Sequence, residues 1–307
     1  MHYLVFVSLI FLLLPQASYG IKFDRYHDLS FINEYLADVA EKHPHVHIQH
    51  LGYSSNGHDI SYLRITKNSS PSSPAIYING THHGNEKAST EAALGVIDYL
   101  ARKHNEIAIN RLLNRFQFII QPVVNPDGHL ANSRYVRDGI DPNRDYPSPF
   151  ADTVSFQLKE TQLVSRLMRR YKMVASAALH SGMEAVLWPW GHKGQGSKDA
   201  KTFFRLGKII ADAMNIKLFK QSFHDYQTEG EFIDYAYMKY GTYAMTVEVS
   251  ALPSPSPALL PKVVRKTVKG MLALSHTLDK RDKALLGRSM DKPKFLRSAS
   301  GAKDLAR

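Results

Sequence analysis

Ala75-Ile76-Tyr77-Ile78-Asn79-Gly80-Thr81-His82-His83-Gly84-Asn85-Glu86 is the stretch on which the reading of this chain turns. An apolar, β-prone run breaks at Gly80, and a His and a Glu three residues apart follow at once. A turn at the end of a buried strand can bring such a pair onto one ion. Neutral imidazole and carboxylate are both good zinc ligands, and two of them leave room for a third ligand and water. Alone, His-x-x-Glu also describes an ordinary polar loop, so its meaning rests on what the rest of the chain supplies.

Upstream, the apolar spacing of Leu29, Ile32, Tyr35, Leu36 and Val39 predicts a helix over 27–42, ending before His43-Pro44. Alternating segments over 46–51 and 58–65 flank Ser54-Ser55-Asn56-Gly57, a hairpin signal. Downstream, helix is expected over 90–102, then an apolar strand over 116–124 that ends in Asn125-Pro126-Asp127-Gly128. A polar loop (129–152), a helix (158–171) and a buried strand (173–179) running into His180 follow. Then come a short strand (185–190), a Gly-rich loop, helices over 201–214 and 231–240, a strand over 242–249 and a helix over 259–278. Strands alternating with helices argue an α/β fold, with antiparallel strands from the early hairpin. With neither a long linker nor an internal repeat, a single domain is expected. In such sheets sites gather at strand ends, and His83, His180 and Glu248 all fall there.

The 307 residues are 44% hydrophobic and 22% charged, as in ordinary globular proteins. Residues 4–14 form an apolar run, and Ser18 and Gly20 have the spacing for cleavage before Ile21. Residues 1–20 therefore read as a signal peptide, too short to span a bilayer, and the mature protein as secreted and not inserted in a membrane. There is no cysteine, which excludes disulfides, thiolate zinc sites and cysteine catalysis. Of two glycosylation sequons, Asn68 lies in a Ser/Pro-rich loop, whereas Asn79 adjoins the proposed site and should be inaccessible. The net charge of +11 is uneven: residues 280–307 hold nine Lys/Arg against three Asp/Glu, a basic tail outside the expected core of 21–279. No aromatic–basic face suggests nucleic acid.

Three further elements carry chemistry. His180 closes a buried strand. Glu248 sits in an apolar β run, where a carboxylate must be paired or point outward. In the loop, Asn143 beside Arg144 offers an amide and a planar fork suited to a carboxylate, and Arg134 or Arg137 could add a second positive charge.

Taken together, His83-x-x-Glu86, Asn125-Pro-Asp-Gly128, Gly139-Ile-Asp-Pro-Asn143-Arg144, His180-Ser181, Trp188-Pro-Trp-Gly191 and Tyr226, with Glu248 22 residues later, occur in the order found in the zinc metallocarboxypeptidases of the A/B type. The chain resembles that family from about residue 25 to 278. The resemblance implies a single α/β domain with a mixed parallel/antiparallel eight-stranded sheet flanked by helices. It implies one Zn2+ held by His83, Glu86 and His180, Glu248 as general base, and Arg134 stabilising the oxyanion. Asn143 and Arg144 would clamp a peptide's C-terminal carboxylate and Tyr226 would close over it. The implied substrates are peptide or protein C-termini, and the working unit is expected to be a monomer. Ile233, seven residues after Tyr226, would lie at the pocket base and favour apolar or aromatic end residues, with Glu229 and Glu231 nearby as the competing basic-residue signal. Cis peptides are implied at Ser181–Gly182, Pro189–Trp190 and Ser250–Ala251. Departures are Gly84-Asn85 for the digestive members' Ala-Arg and Asp145-Tyr146 after the clamp. No room is left for a folded inhibitory segment between leader and core, so activity without zymogen cleavage is expected. The competing readings are a related zinc amidohydrolase acting on acylated amino acids or cell-wall peptides, and a peptide-binding pseudoenzyme.

Overall fold

The computed structural model describes residues 20–148 and 154–280, so residues 1–19, 149–153 and 281–307 lie outside the described residues, and with them all but Gly20 of the expected signal peptide (1–20) and all but Lys280 of the expected basic tail (280–307). Asp28 caps the first helix, α1 (Leu29–Lys42), by accepting from the Phe31 N–H at 2.9 Å, and Ile32, Leu36 and Val39 turn inward. Strands β1 (Val46–Tyr53) and β2 (Asp59–Ile65) form the expected hairpin. Its turn is tied down from a distance: Asp127 accepts from Asn56 N at 2.9 Å and lies 2.7 Å from His58 Nδ1. The Asn-Pro-Asp-Gly motif thus anchors the hairpin to the centre of the molecule.

The remaining strands are β3 (Ala75–Gly80), β4 (Gln117–Gln121), β5 (Met173–His180), β6 (Met183–Trp188), β7 (Leu218–Gln221) and β8 (Tyr243–Ser250). They make one eight-stranded sheet in the order β1-β2-β4-β3-β5-β8-β6-β7. The centre, β4-β3-β5-β8, is parallel; β2 and β6 join it antiparallel. Both faces are buried, which explains why the central strands read as unbroken apolar runs. In β3, Ile76 and Ile78 enter one core while Ala75 and Tyr77 enter the other.

The first core is covered by α1, α2 (Lys87–Arg102), α3 (Ile107–Arg115), α6 (Ala200–Met214) and α8 (Leu260–Lys280). The second is covered by α5 (Lys159–Arg170) and α7 (Phe232–Tyr240); between β4 and the long loop lies the short α4 (Pro126–Ala131). The result is the single α/β domain with a mixed eight-stranded sheet that the motifs implied.

Two elements escape the sequence pattern. Strand β7 has only four residues at the sheet edge, three half-buried and Gln221 buried, too few to show a period. Helix α3 buries Ile109, Leu112 and Leu113 but leaves Ile107 exposed, so its stripe is one turn long. The strand expected over 116–124 stops at Gln121, because Pro122 has no N–H for the ladder. The short strand expected over 185–190 is β6, which begins two residues earlier. Of the three cis peptides implied, Pro189–Trp190 is cis, whereas Ser181–Gly182 and Ser250–Ala251 are trans.

Candidate active site

Strands β3, β5 and β8 are parallel neighbours, so their C-terminal ends converge on one point. His83 lies in the turn after β3, Glu86 precedes α2, and His180 is the last residue of β5. One ligand atom from each lies within 4.8 Å of the others, and all three residues are buried. Glu86 spans the pair: Oε1 is 2.6 Å from His83 Nδ1 and Oε2 is 2.9 Å from His180 Nδ1. The Ser181 N–H also donates to Oε2, at 3.0 Å. Burial works to raise the Glu86 pKa, but His180 and His83 outweigh it and hold the carboxyl well below its usual range.

The donor set, two imidazoles and one carboxylate in a dry recess, fits zinc with positions to spare. Asp141 supplies the support such ligands need: its Oδ1 lies 3.0 Å from His83 Nε2, fixing the ring with Nδ1 turned inward. Of the adjacent histidines, His82 is fully buried beneath the site. Its ring stacks on His180 at 5.6 Å, and its Nε2 meets the Tyr146 hydroxyl at 2.9 Å. The departure Asp145-Tyr146 therefore has a structural purpose, since Asp145 in turn accepts from the Gln157 and Leu158 N–H groups and ties down the start of α5.

Glu248 sits on β8 directly opposite His180 in the ladder. Burial pushes its carboxyl up to about 8; Glu86 adds to this, while His180 and Arg134 pull the other way. Its Oε2 has no hydrogen-bond partner among the described residues. Between the two arginines the geometry chooses plainly. Arg134 reaches inward, 3.7 Å from Glu86 Oε1 and bonded to Asp141 through Nε (3.0 Å) and Nη2 (2.8 Å). Arg137 is exposed, with a 4.0 Å contact to Asp138.

Asn143 and Arg144 sit in a one-turn 3-10 helix opened by Asp141, whose Oδ1 accepts from the Asn143 N–H at 2.8 Å. Asn143 Oδ1 accepts from Phe232 N at 3.0 Å, which docks the loop on α7. Arg144 Nη2 donates to the Tyr226 hydroxyl at 2.9 Å. Tyr226 is 57% exposed, and the Arg144 guanidinium also lies 5.8 Å from its ring centroid. Ile233 is 1% exposed and packs into the second core with Phe232 and Tyr235, whereas Glu231 is the side chain that faces the clamp. Asp141 is the functional residue that sequence reasoning passed over. Its signal was the Asp-x-Asn spacing, which closes the turn that presents the clamp. Asn79 is fully buried, as expected of the inaccessible sequon.

Gly84 is the departure with the clearest cause. A Cβ there would fall 1.9 Å from the backbone carbon of Gly128, so the turn carrying His83 lies directly on α4. Gly84→Ala is expected to cost about 3 kcal/mol, read as a fall in melting temperature of roughly 10 °C. A wild-type melting curve for that variant would mean that α4 yields at little cost. A cavity of about 570 Å³ between His45, Arg64, Lys67 and His104 lies by β1 and β2, away from all these groups.

Fold and site together define an α/β protein with a buried His-Glu-His group able to hold a metal ion at its central strand ends. The zinc carboxypeptidase profile matches residues 32–270, and the chain belongs to that family. It is similar to carboxypeptidase B of Helicoverpa zea, 29% identical over 230 residues, which are 63% of this chain and 53% of that one. It is also similar to carboxypeptidase SOL1 of Arabidopsis thaliana, 26% identical over 250 residues, 75% of this chain and 51% of the other. The chain thus spans about half the length of these two relatives. Among solved structures, carboxypeptidase A from Helicoverpa armigera superposes with a TM-score of 0.76 at 21% identity, over 85% of this chain and 76% of that one.

Proposed function

We propose that this protein is a zinc-dependent exopeptidase that hydrolyses the last peptide bond of peptides and proteins, with one Zn2+ on His83, Glu86 and His180. The observation that carries this reading is the Asn143–Arg144–Tyr226 group beside the triad, since a fixed guanidinium fork next to a hydrolytic centre selects chains that end there. Bound zinc would supply Lewis acidity, polarising the scissile carbonyl and acidifying water. Glu248, half-buried and paired with His180 across the ladder, then takes the proton from water and returns it to the leaving amine. Arg134, held by Asp141, stabilises the charge that develops on the carbonyl oxygen. The apolar end-residue preference expected from Ile233 loses its support, because that side chain packs into the core.

Peptides that differ only in a free or amidated C-terminus test the proposal. The free acids should be cleaved at least about a hundredfold faster, from the loss of a charge-assisted clamp, and chelation should abolish turnover. Equal rates would favour an amidohydrolase acting without the clamp, and activity that survives stringent chelation would rule out the zinc.

We further infer export with cleavage before Ile21. Ile21 and Phe23 are buried in the first core, and the Gly20 N–H meets the buried Asp98 carboxylate at 3.0 and 3.1 Å. A new ammonium at Ile21 would fall beside that carboxylate. Expression in secreting cells should release protein that begins at Ile21; retention of residues 1–20 would rule this out.

A further inference from the structure

Away from the active site, one group of basic side chains has no acid to answer it. His47 on β1 and Arg64 on β2 are direct partners across the hairpin, a register in which like charges oppose one another at a cost. With Lys67 and His104 they line the cavity of about 570 Å³ beside these strands, and no Asp or Glu is among its lining residues. Arg64 has only a long contact, 3.4 Å from Nη1 to Gln117 Oε1. Lys67 Nζ donates to neutral oxygens, the His104 carbonyl at 2.9 Å and Asn110 Oδ1 at 2.8 Å. Burial, and then Arg64, hold the His47 pKa below its usual value.

His45 adds a different need. It lines the same cavity and is 8% exposed, yet its Nε2 has no hydrogen-bond partner among the described residues. Its other ring nitrogen meets the Leu100 carbonyl. A carbonyl only accepts, so that nitrogen carries the hydrogen and Nε2 keeps a bare lone pair. The His104 ring, centred 4.3 Å away, is set likewise, with Nδ1 2.8 Å from the Ala101 carbonyl. The last turn of α2 therefore fixes both rings. Burial, then His104 and His43, pull the His45 pKa down to about 4, which keeps the ring neutral. A buried acceptor without a donor is costly until something fills it.

The cavity thus offers positive charge and a hydrogen-bond acceptor together. A transition-metal ion would suit imidazole lone pairs, but Arg64 and Lys67 repel it. Sulfate or a carboxylate would answer the charge and bring no hydrogen for Nε2. A phosphate that keeps one proton does both. Its charged oxygens meet the Arg64 guanidinium, and its P–OH donates to His45. The volume is that of a small-molecule site, with space beyond the phosphate itself.

We infer that this cavity is a binding site for a phosphate group, free or carried by a small molecule, recognised by Arg64 and His45. Titration calorimetry on the full chain at about pH 6, where roughly half of a phosphate monoester keeps its second proton, tests it. Inorganic phosphate, glycerol 3-phosphate and sulfate would be compared at matched ionic strength. At least one of the two phosphates should bind no less than tenfold more tightly than sulfate. Tighter binding of glycerol 3-phosphate would identify a phosphorylated small molecule as the occupant, and tighter binding of inorganic phosphate the free ion.

Arg64→Gln should weaken phosphate binding by about tenfold or more, the scale of one charge-assisted hydrogen bond. Arg144→Ala, which removes the rival anion site at the clamp, should leave it unchanged. His45→Phe should erase the preference over sulfate, and in the wild-type protein the His45 Nε2 nitrogen resonance should move as phosphate saturates. Equal affinity for sulfate would mark an adventitious ion only and overturn the inference. Binding lost in R144A and kept in R64Q would place the phosphate at the clamp and also overturn it. Should H45F fail to fold, the wild-type preference and the Arg64 variant decide between them.

Discussion

Glu248→Gln is expected to lower kcat by about a thousandfold, roughly 4 kcal/mol of transition-state stabilisation, while zinc content stays at the wild-type level. The side chain keeps its shape but cannot accept a proton. The group is also well placed to show the effect cleanly. Glu248 lies one strand over from His180 and outside the triad, so its replacement should leave the ligands in position. Zinc content by elemental analysis and single-turnover rates on one peptide are the two readouts. Unchanged turnover would move the base elsewhere. Loss of zinc together with activity would make Glu248 a structural support of the site.

The second large effect is expected at the clamp. Arg144→Ala should lower kcat/KM on free-acid peptides by about 10²–10³-fold, the cost of truncating one partner of a buried charge pair. The same peptides with amidated ends should be nearly unaffected, so the preference for free acids should collapse. Arg144→Lys should recover part of the loss, because it restores charge without the planar fork. A variant that loses activity equally on acids and amides would show that Arg144 supports the loop and does not read the substrate. That outcome has a physical route, since Arg144 Nη1 also donates to the Asn143 carbonyl at 2.7 Å.

Much of this site is legible in the sequence because its parts sit at the ends of strands that announce themselves. β3 and β5 are buried on both faces and read as apolar runs, so His83 and His180 stand out where those runs stop. The hairpin is legible through Asn56-Gly57, a turn that only a few residue types satisfy. What is hidden depends on distance in the chain. Nothing local marks Asp127 as the anchor of a turn some 70 residues upstream, or Tyr146 as the partner of His82. The pocket shows the same limit. Counting seven residues from Tyr226 reaches Ile233, but α7 begins at Phe232, and Ile233 lies on the side of the helix that packs into the core. Glu231, just before the helix, is the residue turned towards the clamp, and only the packing beside Gly191 reveals it.

Asp141 joins what the chemistry treats as separate. One of its oxygens steadies the His83 ring and the turn that presents Asn143, while the other holds Arg134. Cofactor retention and peptide recognition are therefore two ends of a single lever. By thermodynamic reciprocity, whatever factor the metal adds to affinity for a peptide end, a bound peptide end must add to affinity for the metal. If the metal strengthens binding of a peptide end, zinc should be held more tightly by protein saturated with product than by protein alone, a difference that a competing chelator would measure at equilibrium. On the proposed function, the protein holds its metal best while a peptide end is bound.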